Sequence, residues 1–258
     1  MNGNIGVWDT LAAVEWTKKY ICKFGGDPDN ITVIGQSAGA GIITWILLGE
    51  DGNLTLPFSK AWIASPSTAP RHDLERSRPI FNDILGFTNC SDVQCLRELP
   101  ESDMVEVNKY IFVDQNPGAG GGSLGPGVGL TPTVDGELVS DLPANAFAAG
   151  KFNQQIEKIV VGHTAYEGLG LSSDRDMPAR FPEIVRANIP NVSNDTVATL
   201  LSLYPFPPEL PEYLAWEYTT DIVWSCTVGN IAGAYADRAR RFVFSVPPAT
   251  HGLDLACT

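Results

Sequence analysis

The chain has 258 residues, 44% of them hydrophobic, and 17 Lys and Arg stand against 30 Asp and Glu for a formal charge of −13. That balance repels phosphate backbones and anionic lipid surfaces, so nucleic acid is excluded as a partner. The apolar content suffices for a sizeable core and no charged or low-complexity linker divides it, so residues 1–258 are expected to form a single domain.

Residues 1–20 carry a helical period, with Trp8, Leu11, Ala12, Trp16 and Tyr20 along one side, and show no signal peptide. The β-branched run Ile31–Ile34 reads as a strand and Ala38–Leu48 as a helix. Between them lies Gly35-Gln36-Ser37-Ala38-Gly39. A Gly-x-Ser-x-Gly at a strand-to-helix turn pushes the serine Oγ clear of the backbone, and small neighbours such as Gly35 and Gly39 tolerate the close approach. The following helix begins with N–H groups that lack intrahelical partners, so the Ala38 N–H can face an oxyanion. Taken alone, the pentapeptide also fits a glycine-shaped tight loop. The apolar run after Ser37 is shorter than the roughly 20 residues of a membrane span.

Farther along, Ala61–Ala64 reads as a second strand, and His72 sits among charged residues at a solvated helix entry. The glycine-proline stretch Pro117–Gly129 reads as a flexible loop. Its Gly120-Gly121-Gly122 lacks the Lys-Ser/Thr of a phosphate cradle. Asp135 lies in the turn-like Thr133-Val134-Asp135-Gly136. Ile159–Val161 is a third strand, followed by His163 and Glu167; Cys226–Arg238 is helical; Phe242–Val246 is a fourth strand, followed by His251. This alternation predicts an α/β fold, a mostly parallel sheet flanked by helices.

A nucleophilic serine on such a sheet is followed along the chain by an acid and then a histidine. Ser37, Glu167 and His251 satisfy that order, and both His163 and His251 follow strands where a crevice forms. Asp135 with His163 is the second pairing. The bland readings are a surface imidazole for His251 and an ordinary loop carboxylate for Glu167. No Cys-x-x-Cys or His-Glu-x-x-His occurs, so no metal site is expected, and serine chemistry needs no cofactor.

The series Asn4-Ile5-Gly6-Val7-Trp8-Asp9, Leu11-Ala12-Ala13-Val14-Glu15-Trp16, Phe24-Gly25-Gly26-Asp27-Pro28 and Ile31 to Ala40 resembles the nucleophile block of the type-B carboxylesterases, the α/β-hydrolase family that includes cholinesterases and fungal lipases. Cys95-Leu96-Arg97, Pro132 to Gly136, Gly162 to Gly168 and His251-Gly252-Leu253-Asp254 resemble later segments of the same family. The resemblance implies a partial α/β-hydrolase fold and hydrolysis of a small-molecule or lipid ester. It implies Ser37 as nucleophile, Glu167 as the acid and His251 as the base. It also implies a Cys90–Cys95 disulfide and a further partner for Cys226, either beyond this sequence or Cys257; the odd total leaves Cys22 as the candidate free thiol.

Four departures stand out. Gln36 replaces the family's usual Glu and removes a negative charge beside the histidine. Thr10-Leu11 and Ser65-Pro66-Ser67 replace other familiar residues and are expected to leave the three site residues untouched. The family's His-Gly-Gly loop, which supplies further oxyanion donors, has no counterpart here, so a fragment lacking N- and C-terminal parts is expected. A non-catalytic binding domain, or a chain inactive for want of that loop, is therefore the alternative function. In such a half-sheet the Ile31 strand would lie at an open edge, inviting self-association. Five Asn-x-Ser/Thr sequons, at Asn30, Asn53, Asn89, Asn191 and Asn194, favour a secreted glycoprotein, as do the cysteines.

Overall fold

The computed structural model describes residues 3–68, 74–111, 131–172, 174–189 and 191–257. His72, the Pro117–Gly129 stretch and the side chain of Cys257 lie outside the described residues.

Helix α1 (Ile5–Tyr20) opens the chain and buries Val7 and Leu11. Val14 packs partly against the same core, while Trp16 is 59% exposed. The buried stripe thus follows Val7, Leu11 and Val14, spaced by four and three, with Trp8 packed against it; of the side read from the sequence Trp8 and Leu11 face the core, and Ala12 and Trp16 do not. Strand β1 (Thr32–Gln36) leads through Ser37 into α2 (Ala38–Leu48), and β2 (Lys60–Ala64) follows. Helices α3 (Leu74–Thr88), α4 (Val93–Glu98), α5 (Glu101–Lys109) and α6 (Pro143–Ala148) precede β3 (Lys158–Thr164). Helices α7 (Met177–Asn188), α8 (Asn194–Ser202), α9 (Glu212–Thr219) and α10 (Cys226–Tyr235) then lead to β4 (Ala239–Phe244), with a π-helical turn over Thr220–Ser225 between α9 and α10.

The four strands run parallel in the order β1-β2-β3-β4. Register pairs Ile34 with Trp62, Trp62 with Val160, and Gly162 with Phe242. Parallel neighbours need crossover connections, and right-handed crossovers between sequential strands put their helices on one face. That face holds the main core: Trp45, Ile46 and Leu47 of α2 and Val228, Ile231 and Tyr235 of α10 pack with Ala61, Ile63, Ile159 and Val161. Each large side chain buried there stabilises the fold by roughly 1.5–3 kcal/mol. Helix α2 is buried almost all round, which explains an apolar run without polar alternation.

A second cluster joins α7, α8 and α9 through Met177, Phe181, Val185, Val197, Leu214 and Tyr218. A third, smaller one joins Ile84, Val107 and Ile111. The Cys90–Cys95 disulfide closes the segment between α3 and α4. Cys22 and Cys226 are free thiols among the described residues. All five sequon asparagines are exposed. Among the described residues no helix is long and apolar enough to cross a membrane.

Candidate active site

Ser37 occupies φ 56, ψ −119, a region that non-glycine residues rarely adopt and that costs of order 1–3 kcal/mol. Neighbouring backbone holds it there. Its N–H donates to the Ala64 carbonyl at the end of β2 (3.0 Å), and its carbonyl accepts from the N–H groups of Gly41 (2.9 Å) and Ser67 (3.1 Å). The turn is tight enough that a Cβ on Gly35 would sit 2.6 Å from the Gly39 carbonyl carbon. Gly39 is different: a Cβ there would meet nothing within 4 Å, so the turn requires glycine at only one of the two flanking positions.

Glu167 lies just past β3 and is completely buried. Its Oε1 accepts from the Ser65 hydroxyl and the Thr164 N–H, both at 2.6 Å, and its Oε2 lies 2.5 Å from His251 Nδ1. Three donors compensate a buried carboxylate that would otherwise be costly to desolvate. The next residue, Gly168, approaches α9 so closely that a Cβ would fall 2.2 Å from the Trp216 carbonyl oxygen. Its N–H donates to Thr220 Oγ1 at 3.0 Å.

His251 follows β4 on a loop tied to the Glu167 loop, where the Tyr166 N–H donates to the Ala249 carbonyl (3.0 Å) and Tyr166 bridges Thr250. Its Nδ1 faces the carboxylate and its Nε2 lies 2.8 Å from Ser37 Oγ. With Nδ1–H donating to Glu167, Nε2 is left with a lone pair that can accept a hydrogen bond from the Ser37 hydroxyl. The Gln36 amide reaches the same Nε2 at 3.3 Å. The Trp224 ring lies 4.8 Å away, tilted by 38°.

Three residues far apart in sequence thus meet in one chain of hydrogen bonds, with the Ala38 N–H beside it at the start of α2. The other pairing does not form. Asp135 accepts from the N–H groups of Glu137, Leu138 and Val139 and from the Asn4 amide. His163 donates through Nδ1 to the Thr164 carbonyl at 2.7 Å. Both are structural. Sequence reading also missed Ser65, which was expected to stand clear of the site and instead hydrogen-bonds Glu167. Its place at the carboxyl end of β2, the edge where such sheets gather functional groups, was the available signal. No pattern pointed to Trp224.

A parallel α/β sheet whose first strand ends in a serine at positive φ, backed by an imidazole and a carboxylate, has the layout of the α/β-hydrolase nucleophile elbow. The chain belongs to the carboxylesterase family, whose model matches residues 1–241. It is 28% identical to carboxylesterase patB of Aspergillus clavatus over 96% of this chain and 45% of that protein. It is 29% identical to the inactive carboxylesterase-like protein VdtD of Byssochlamys spectabilis, over 86% of this chain and 41% of that one. A secreted lipase of Arthroderma benhamiae is 23% identical over 98% of this chain and 48% of its own length. Among solved structures, Aspergillus niger EstA superposes with a TM-score of 0.77 and 25% identity, over 98% of this chain and 52% of that one. The chain therefore spans about half the length of the relatives it matches.

Proposed function

We propose that this chain carries the catalytic centre of a serine carboxylic-ester hydrolase working through an acyl-enzyme. The observation that supports it most is the continuous hydrogen-bond path from Ser37 Oγ through His251 to Glu167. In this reading Ser37 attacks the acyl carbon while His251 Nε2 takes its proton. Glu167 holds the ring and stabilises the imidazolium. The proton then passes to the departing alcohol, and water, activated by the same imidazole, releases the acid. The Ala38 N–H is one donor to the oxyanion; losing a donor from such a hole typically costs about a hundred- to a thousandfold in turnover.

A fluorophosphonate tests the reading, because it reports an activated serine without demanding full turnover. Covalent label at Ser37, abolished by Ser37→Ala in a protein with an unchanged melting curve, is the expected result. An unlabelled wild-type chain that is folded would refute it. A second reading, a binding domain without turnover, is favoured by the inactive relative VdtD. Slow ester hydrolysis that disappears in Ser37→Ala excludes this second reading.

We also place the chain in the secretory pathway, on the exposed sequons, the Cys90–Cys95 bond and the secreted relative. Expression through a eukaryotic secretory route should yield glycans at Asn53 or its counterparts, read as a mass loss on endoglycosidase treatment. Unmodified protein from that route would count against it.

A further inference from the structure

We propose that Trp224 is a positioning residue for the His251 imidazole, held against the ring by the π-helical turn Thr220–Ser225; the proposal rests on the hydrolase reading above. The His251 ring is held at opposite corners, by Glu167 at Nδ1 and by Ser37 at Nε2. Two such bonds define an axis and leave the ring free to roll about it. A roll carries the Nε2 lone pair out of line with the serine O–H. The indole, 4.8 Å from the imidazole centroid and tilted by 38°, blocks that roll on one side.

Trp224 is well suited to act as a fixed wall. It is completely buried and cannot swing away without opening the core. The turn that carries it is π-helical, a wide turn that alters which face of the chain meets the site. The same segment is tied to the acid loop and to β3. Thr220 Oγ1 accepts from the Gly168 N–H, next to Glu167, and donates to the Trp216 carbonyl (2.8 Å). Ser225 Oγ lies 3.5 Å from His163 Nε2 on β3. One turn therefore carries both the hydrogen bond to the acid loop and the indole that meets the base.

The indole has an electronic consequence as well. When Ser37 gives up its proton the imidazole becomes a cation beside an aromatic face, and such a pair is attractive, more so where water is excluded. Trp224 therefore favours the protonated base that exists during attack. It acts on the rate of serine attack and not on the binding of reagent.

The test is fluorophosphonate labelling of the full chain, measured to saturation so that apparent affinity and limiting rate separate. Ser37→Ala serves as the blank, and Trp224→Leu and Trp224→Phe as the variants. Trp224→Leu is expected to lower the limiting rate about 10- to 30-fold with affinity unchanged, and Trp224→Phe, which keeps an aromatic face, to recover most of it. By NMR, the His251 ring protons should be shifted upfield in wild type and in Trp224→Phe, and move to ordinary positions in Trp224→Leu. Wild-type limiting rate in a folded Trp224→Leu, or a loss confined to affinity, overturns the proposal while the hydrolase reading stands. If Trp224→Leu does not fold, Trp224→Phe decides: near-wild-type rate and an upfield His251 support the proposal, and an unshifted His251 refutes it. A wild-type chain without label at Ser37 removes the hydrolase reading and this proposal together.

Discussion

Asp254, three residues beyond the histidine, is 1% exposed, and among the described residues no side chain hydrogen-bonds its carboxylate, which has only the N–H groups of Asp254 and Leu255 near it. Burial pushes its carboxyl above the ordinary range, and the charge of Glu167 adds to the shift. The folded state therefore holds this proton more tightly than the unfolded chain does. Its contribution to stability is fully present below the unfolded-state value near 3.8 and is lost as pH rises through the raised folded value. Asp254→Asn mimics the protonated form. It should stabilise the protein by about 1–3 kcal/mol at neutral pH, an advantage that shrinks toward zero in acid. Thermal melts of both proteins across pH check this, and an equal gain at all pH values would contradict it. Gln36 places an uncharged amide 3.3 Å from His251 Nε2.

At the scale of an element, the elbow depends on one missing side chain. Gly35→Ala would drive a methyl group into the backbone of Gly39 and Ala40, where neither side can yield. It should cost about 2 kcal/mol or more and abolish labelling at Ser37. Gly39→Ala, one turn into solvent-open space, should instead stabilise α2 by about 0.5–1 kcal/mol and leave labelling intact. Denaturant melts with the labelling assay distinguish the two substitutions; equal behaviour would show that the turn is not steric in origin. The strands were legible as β-branched runs, and α2 was read with its observed limits. Their ends were less so: β3 runs on to Thr164 because Gly162 and His163 pair with Phe242 and Val243, a fact about a partner strand. β4 starts at Ala239 and not Phe242 for the same reason, its arginines being paired by backbone without being apolar.

For the whole molecule, sequential strand order has an effect that composition hides. With α2 and α10 packed on one face of the sheet, the other carries Ile34, Trp62, Val160 and Phe242 outside any core cluster of the described residues. Ile34 is 73% exposed, and Trp62 meets Phe242 edge-on at 6.4 Å, across the strand that holds Gly162. Parallel sheets are ordinarily covered on both faces. β1 also lies at the end of the strand order. Such a face and edge should bind a hydrophobic dye and draw chains together despite a charge of −13. Light scattering is expected to show association that rises with concentration and is reduced by Ile34→Lys, with a change in stability within about 0.5 kcal/mol. A monodisperse wild-type monomer that binds no dye would contradict this.

Residue order alone was enough to specify the α/β class, the elbow serine and the pairing of Glu167 with His251, because these depend on local turns and on the succession of groups along the chain. The sequence could not reveal that Ser65 and Trp224 enclose the acid and the base, nor that Asp135 and His163 are bonded elsewhere. Those relations are set by which loops the parallel strands bring to a common edge, and by a π-helical turn whose register has no sequence period. Nor could it tell how far the buried stripe of α1 extends, since Leu11 and Trp16 are both apolar on the side read from the sequence and only packing buries the first and exposes the second. Proximity across the sheet is a property of packing, and it exists only once the strands have paired.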